Sequence, residues 1–471
     1  MNFKVTSYRN QDPKKAIKDF IDAFAEDRNL AVKWLFFVRD AREGLGEREL
    51  FRWCFNHLIS TNKSDYAEAL IKAIPEFGRF DDLLVAMNTQ YEDIAIHVMK
   101  KQLDEDLENM AAGKPVSLCA KWMPRENTSN KSRIALAKKI ATAFGMSAKE
   151  YRKMIAGLNK YLKTVEVFAS AKDWKKIDYN NVPSLANLKY KNAFMKNDAT
   201  RRQEYLAALE RGEAKINMSV GYPHDIVHAY IKGKTGGGWG SRNVTYAIDP
   251  TLEAAWKALK NIELSNTMVV GDSSGSMETK VGGTSVMALE VAHALGIYCA
   301  DHNSGAFKNK MITFSEHPKY LEWNDNDTLA TKLGIAFSHS EVANTNIEKV
   351  FELILDTAVK NHCAQEDLPK QILIISDCEF DRMTSGRTDI TLFKSIEKKF
   401  AAYNYKLPKL CFWNVCGRTG TVPVQQSENG VALVSGFSVN TLKMILSDKL
   451  DPYEALKDTL NSERYKDIIW E

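Results

Sequence analysis

The sequence contains no Cys-x-x-Cys pair, and its seven cysteines, at 54, 119, 299, 363, 378, 411 and 416, are thinly spread over 471 residues. That spacing excludes a disulfide scaffold, a zinc ribbon and a thioredoxin-type redox motif. The opening residues Met1-Asn2-Phe3-Lys4-Val5-Thr6-Ser7-Tyr8-Arg9 lack the apolar core of a signal peptide. No apolar run approaches the roughly 20 residues that span a bilayer. Hydrophobic residues at 44% and charged residues at 26% are ordinary globular usage, which excludes a disordered or collagen-like chain. The expectation is a soluble cytoplasmic protein in a reducing compartment, with two to four domains at roughly 100–200 residues each.

The net charge of +4 hides a strong asymmetry. Residues 1–100 carry 15 basic and 16 acidic side chains, 101–250 carry 26 and 15, and 251–471 carry 23 and 29. Within the middle block, 131–202 holds 17 basic and 5 acidic residues. Such a concentration fits either a polyanion partner or a solvated helical surface.

Apolar residues recur at three- and four-residue steps over 13–112, as in Ala16-Ile17, Phe20-Ile21 and Phe24, which predicts helices. Breaks are expected at Gly44 to Gly46, Pro75 to Gly78 and Gly113-Lys114-Pro115. Further helices are expected at 130–144, 147–170 and 198–211, a layout of helical repeats without a fixed sequence period. Trp34, Phe36 and Phe37 sit at core spacing. The glycine-rich stretch 232–241 reads as a connector, because position 228 is His where a phosphate loop needs Gly.

From 266 onward the pattern changes. Near-continuous apolar runs at 267–270, 310–314, 371–375, 410–415 and 431–434 alternate with helix-length segments at 286–302, 346–361, 389–403 and 439–448. This predicts a doubly wound α/β domain with a parallel sheet covered on both faces. The expected division is an α-helical module over 1–260 and an α/β domain over 261–471.

The first of these strands runs into Gly271-Asp272-Ser273-Ser274-Gly275-Ser276-Met277. Asp272, Ser274 and Ser276 form Asp-x-Ser-x-Ser, hard oxygen donors suited to Mg²⁺ or another hard divalent cation. Gly275 eases the tight backbone. Thr345 precedes a later helix and Asp377 ends a later strand, which adds a hydroxyl and a carboxylate. The bland alternative is a turn in which these side chains only cap a helix. The five positions Asp272, Ser274, Ser276, Thr345 and Asp377 resemble the metal-ion-dependent adhesion site of a von Willebrand factor A domain. That resemblance implies an ion with an open coordination position for an acidic group of a partner.

Gly271-Asp272-Ser273-Ser274-Gly275 also fits the nucleophile elbow of α/β-hydrolases, with Ser273 as nucleophile. That fold orders its triad Ser, Asp or Glu, then His, and the last histidine here is His362, ahead of Asp377. A triad of another order stays open. His224 and His228 are four apart, as in zinc proteases, but position 225 is Asp rather than Glu and no third ligand stands out; a structural pair is the reading.

Stretches of the helical half, including 34–48, Ile74-Pro75-Glu76-Phe77-Gly78-Arg79-Phe80-Asp81-Asp82-Leu83, Lys121-Trp122-Met123-Pro124-Arg125 and Val182-Pro183-Ser184-Leu185-Ala186, resemble the TROVE module of the Ro ribonucleoprotein autoantigen family. They resemble more closely an uncharacterised family that joins a TROVE-like module to a von Willebrand A domain. The resemblance implies a ring of HEAT-like helical repeats followed by the A domain, binding structured or single-stranded noncoding RNA. Phosphate contacts then fall to Lys121, Arg125, Lys131, Arg133, Lys138, Lys139, Arg152, Lys153 and Lys160, with Trp122 and Tyr151 offering stacking faces. With no general base beside the ion, the expected function is non-enzymatic RNA binding. The alternative is a protein-interaction scaffold that uses the metal site without RNA.

Overall fold

The computed structural model describes residues 1–9, 11–218, 221–232, 234–236, 244–282, 284–339, 346–378, 388–416, 431–441 and 452–471. Among these, no helix is long and apolar enough to cross a membrane. The chain forms two compact units. One comprises Pro13–Val182, Asn192–Arg202 and Leu460–Glu471; the other comprises Met1–Asp12, Pro183–Lys191 and Gln203–Thr459. The chain from 203 to 260 therefore groups with the sheet, and 460–471 groups with the helices.

The helical unit includes α1 (Pro13–Glu26), α2 (Arg28–Arg39), α3 (Arg48–Thr61), α4 (Asp65–Phe77), α5 (Glu92–Ala111), α6 (Lys131–Ala143) and α7 (Ala148–Tyr161). Polar side chains cap four of them, α2, α4, α6 and α7. Asp27 Oδ1 accepts from the Leu30 amide at 2.9 Å, and Ser147 and Glu150 form a reciprocal capping box. The apolar steps meet inside: Phe36 packs edge-on to Phe51, Phe55 and Phe77 with ring centres 5.2–6.0 Å apart. Trp34, Phe36 and Phe37 are buried, as their spacing predicts.

The break expected over Pro75 to Gly78 falls at its far end, and one further boundary differs from expectation. Pro75 does not end α4, which runs on to Phe77. Two residues from the helix end, Pro75 forfeits only the bond to the Ile71 carbonyl, and Gly78 makes the break. The predicted helix over 147–170 divides around Lys163, at φ +50°, into α7 and Val165–Ser170.

The segment 78–82 is an internal polar junction. Asp82 is fully buried and accepts from Arg39 Nε and Arg52 Nε, both at 2.7 Å, and from the Arg79 amide at 2.9 Å. Gly78 makes room for this meeting, since a Cβ there would lie 2.5 Å from Asp82 Oδ2 and 3.1 Å from Arg39 Nε. Arg464 donates to Asp40 at 2.9 Å, which ties 460–471 into the same unit.

The second unit holds a six-stranded sheet of β1 (Thr267–Asp272), β2 (Lys310–Phe314), β3 (Tyr320–Glu322), β4 (Gln371–Ser376), β5 (Lys409–Asn414) and β6 (Val431–Ser435). The strand order is β3-β2-β1-β4-β5-β6. Five strands run parallel; the short β3, which the apolar pattern did not reveal, pairs antiparallel with β2. The sheet is thus mixed rather than wholly parallel.

Alternation along each strand sends side chains to two faces. Met268, Val270, Ile312, Phe314, Ile372, Ile374, Leu410 and Phe412 pack with Val350, Phe351 and Ile354 of α10 (Ile347–Lys360) and with Ile396 and Phe400 of α11 (Thr388–Ala401). The opposite face meets α9 (Ala288–Asp301), which is buried from Ala288 to Ala300. Gly271 sits on this side, where a Cβ would come 2.6 Å from Met311 Cε and 3.9 Å from His293 Nδ1. The predicted helix at 439–448 lies largely outside the described residues.

Candidate functional site

In a sheet of this order, β1 is followed in the chain by β2 on one side and is flanked by β4 on the other. The direction of winding reverses between β1 and β4, and the carboxyl ends there open a crevice in which ligands of such sheets bind. Asp272 ends β1 and Asp377 follows β4 directly, so both carboxylates belong to this crevice.

Asp272 is 1% exposed. Its Oδ1 accepts from the Ser274 amide at 2.8 Å, and its Oδ2 accepts from the Ser376 hydroxyl at 2.5 Å. The Ser274 and Ser276 hydroxyls are 3.0 Å apart. Burial, reinforced by the charge of Asp377, pushes the Asp272 carboxyl up to about 7, against the lowering effect of the bonds from Ser376 and Ser274. The structure thus brings Asp272, Ser274, Ser276 and Asp377 to one crevice. Thr345 lies outside the described residues; Asn346 caps α10 by accepting from the Lys349 amide at 3.1 Å. Gly275 opens a 3-10 turn, Gly275–Glu278.

The donor set is two carboxylates and two hydroxyls. Among the described residues no group of three or more His, Cys, Asp or Glu side chains is arranged to hold a metal, so a cation here would depend on the hydroxyls as well as the carboxylates. An octahedral Mg²⁺ with ligands at about 2.1 Å places neighbouring oxygens about 3 Å apart, which matches the separation of the two serine hydroxyls.

Ser376 was not anticipated as a partner of Asp272. It belongs to a row of buried polar residues along the carboxyl edge: Asp272, Ser376, Asn414 and Ser435, with Ser376 opposite Asn414 and Asn414 opposite Ser435 in the strand register. Thr6, from the first residues of the chain, donates to Asn414 Oδ1 at 3.1 Å and meets Ser435 Oγ at 3.2 Å. Polar residues at the ends of apolar strands were visible in the sequence; nothing there assigned Thr6 to them.

Ser273 is 1% exposed, and its hydroxyl makes no hydrogen bond among the described residues. A nucleophile elbow needs an exposed serine paired with a base, and this one is neither. His224 and His228 lie on α8 (Pro223–Lys232), and among the described residues neither belongs to a group of three or more His, Cys, Asp and Glu side chains that could hold a metal. His224 is buried between Tyr222 and Phe437, and burial lowers it to about 3.

Among the basic candidates in the helical unit, Arg125, Lys131, Arg133, Lys138, Lys139, Arg152, Lys153 and Lys160 are exposed and Lys121 is half-buried. Two already have acidic neighbours: Lys139 pairs with Glu92 at 2.6 Å and Lys121 with Glu166 at 3.8 Å. Arg125 and Arg152 line a cavity of about 80 Å³ together with Asn127 and Tyr151. The expected stacking faces are taken. Tyr151 is 1% exposed with its hydroxyl donating to the Pro124 carbonyl, and the Arg79 guanidinium lies 3.7 Å above the Trp122 ring.

Residues 88–265 match a family described as a domain of unknown function (DUF2828), and residues 266–467 match another so described (DUF7788). The chain is also similar to the uncharacterized protein L728 of Acanthamoeba polyphaga mimivirus, with 28% identity across 98% of this chain and 84% of the viral protein.

Proposed function

We propose that the chain is an RNA-binding protein of Ro-like organisation, a TROVE-like helical module of HEAT-like repeats joined to a von Willebrand factor A domain. The A domain holds Mg²⁺ and, through it, an acidic group of a protein or RNA partner. The observation that carries this reading is that Asp272 ends β1 and Asp377 directly follows the adjacent parallel β4 at the point where the sheet reverses its winding, with the Ser274 and Ser276 hydroxyls 3.0 Å apart just beyond β1. Asp272, Ser274, Ser276 and Asp377 would hold the cation, with Thr345 as the fifth position. The cation would supply an electrophilic site for a partner's carboxylate or phosphate.

The RNA half of the reading is supported by the run of exposed cations on α6 and α7. Filter binding of a single-stranded RNA to the full chain between about 50 and 200 mM salt tests it: log affinity should fall steadily against log salt. Absence of affinity at about 50 mM salt would leave the interaction scaffold, which recognises a protein carboxylate at the metal site alone. The burial of Tyr151 and the covering of Trp122 favour that second reading, because they remove the stacking faces a single strand needs.

A further inference from the structure

His228 stands between two oxygens. Its Nδ1 lies 2.5 Å from Oε2 of Glu290, and its Nε2 lies 2.9 Å from Oγ of Ser285. A carboxylate only accepts, so Nδ1 carries the proton and the Nε2 lone pair faces the serine hydroxyl. Burial raises the Glu290 carboxyl, and the neighbouring His228 ring, hydrogen-bonded to it, draws it back.

The three residues are held by separate elements. His228 is on α8, Glu290 is in the first turn of α9, and α8 packs against α9. Ser285 is on the loop before α9, and that loop is pinned: the Val281 amide donates to the Val286 carbonyl at 2.8 Å, and the Thr284 hydroxyl donates to the Val281 carbonyl at 2.6 Å. Exposure rises along the chain of bonds. Glu290 is buried, His228 is mostly covered and Ser285 is exposed. An oriented base with its carboxylate inside and its hydroxyl partner at the surface is what nucleophilic catalysis requires. Ser285 also sits two residues ahead of Met287, the N-cap of α9, so the positive end of a 14-residue helix lies beside it.

We propose that Ser285, His228 and Glu290 form a serine-nucleophile site that hydrolyses small carboxylic esters. Ser285 Oγ adds to the ester carbonyl carbon as its proton passes to His228 Nε2. The carbon–oxygen bond to the alcohol then breaks, and the alcohol leaves with that proton. Water adds to the acyl-serine and gives a proton to Nε2; the carboxylic acid departs as Ser285 recovers its proton. Glu290 stays ionised, fixes the ring and stabilises the imidazolium. The site uses none of the residues assigned to the cation or to RNA, and it is independent of that reading.

The full-length protein is treated with a fluorophosphonate probe and the label is mapped by peptide mass spectrometry; release of p-nitrophenolate from p-nitrophenyl acetate is followed in parallel. The expected result is one label per chain on Ser285, absent from Ser285→Ala, with labelling of Glu290→Gln slowed by about 10²-fold or more because the ring loses its fixed tautomer. Ser285 is exposed, so Ser285→Ala should fold normally, as circular dichroism will report. An unlabelled wild-type protein, or a label that persists in Ser285→Ala, overturns the proposal.

Discussion

Ser376 donates a 2.5 Å hydrogen bond to Asp272 from the adjacent parallel strand, although the two residues are 104 positions apart in the sequence. The bond holds one carboxylate oxygen of Asp272, and the Ser274 amide holds the other. With both oxygens engaged, the side chain is fixed at the head of the crevice beside the charge of Asp377, where the proposed cation would relieve the repulsion between the two carboxylates.

Mg²⁺ at about 100 times its dissociation constant should therefore stabilise the protein by about 2.7 kcal/mol. Asp272→Asn should abolish that gain, and Ser376→Ala should reduce it by freeing the carboxylate to rotate. Thermal unfolding with and without Mg²⁺ measures both. A wild-type midpoint indifferent to Mg²⁺ would remove the cation site.

Asp82→Ala should cost about 3–5 kcal/mol, because it leaves the buried Arg39 guanidinium without its partner. Glu49→Ala, which removes an exposed partner of Arg48 and Arg52, should leave stability almost unchanged. Urea unfolding of the two variants gives the contrast; equal losses would refute the distinction.

Burial lowers His293 to about 4 and His224 to about 3, below the usual value near 6.5. The unfolded chain binds protons on these rings before the folded one does. Their contribution is complete above pH 6.5 and is lost as the pH falls through the window toward 4. Asp225, raised to about 6 by burial, works in the opposite direction over much of the same range. Integrated over that window, the contribution of His293 amounts to about 3 kcal/mol. His293→Leu should flatten the difference in urea midpoint between pH 7 and pH 4.5, and an unaltered difference would show that His293 does not carry it.

Combined charge reversal at Lys138, Arg152 and Lys153 should weaken RNA binding and reduce its salt slope by about 2 to 3. Reversal at Lys121 or Lys139 should do less, since each already faces a glutamate. Filter binding across salt separates the sets. An effect at Lys139 as large as the triple change would place the interface elsewhere.

Much of the architecture followed from local pattern. Three- and four-residue apolar steps marked helices such as α1 to α4, and five of the six strands stood where apolar runs were read. The short antiparallel β3 escaped, because three residues carry too little alternation to register. The position of Asp272 and Asp377 at the ends of apolar runs was also readable, with Ser274 and Ser276 on the turn that follows the first of them.

The linear order of residues thus determined which segments are helix or strand and which oxygens stand at strand ends, since side-chain periodicity and turn chemistry act over a few residues. Only the tertiary structure decided which of the candidate cations form ion pairs among the described residues, that Tyr151 is core rather than a stacking face, and that Asp82 serves both the buried Arg39 and the half-buried Arg52. It also decided that Thr6 closes the polar row at Asn414 and that His228 meets both Glu290 and Ser285. Those relationships depend on strand register and helix packing, which join residues tens to hundreds of positions apart and leave no periodic trace in the chain.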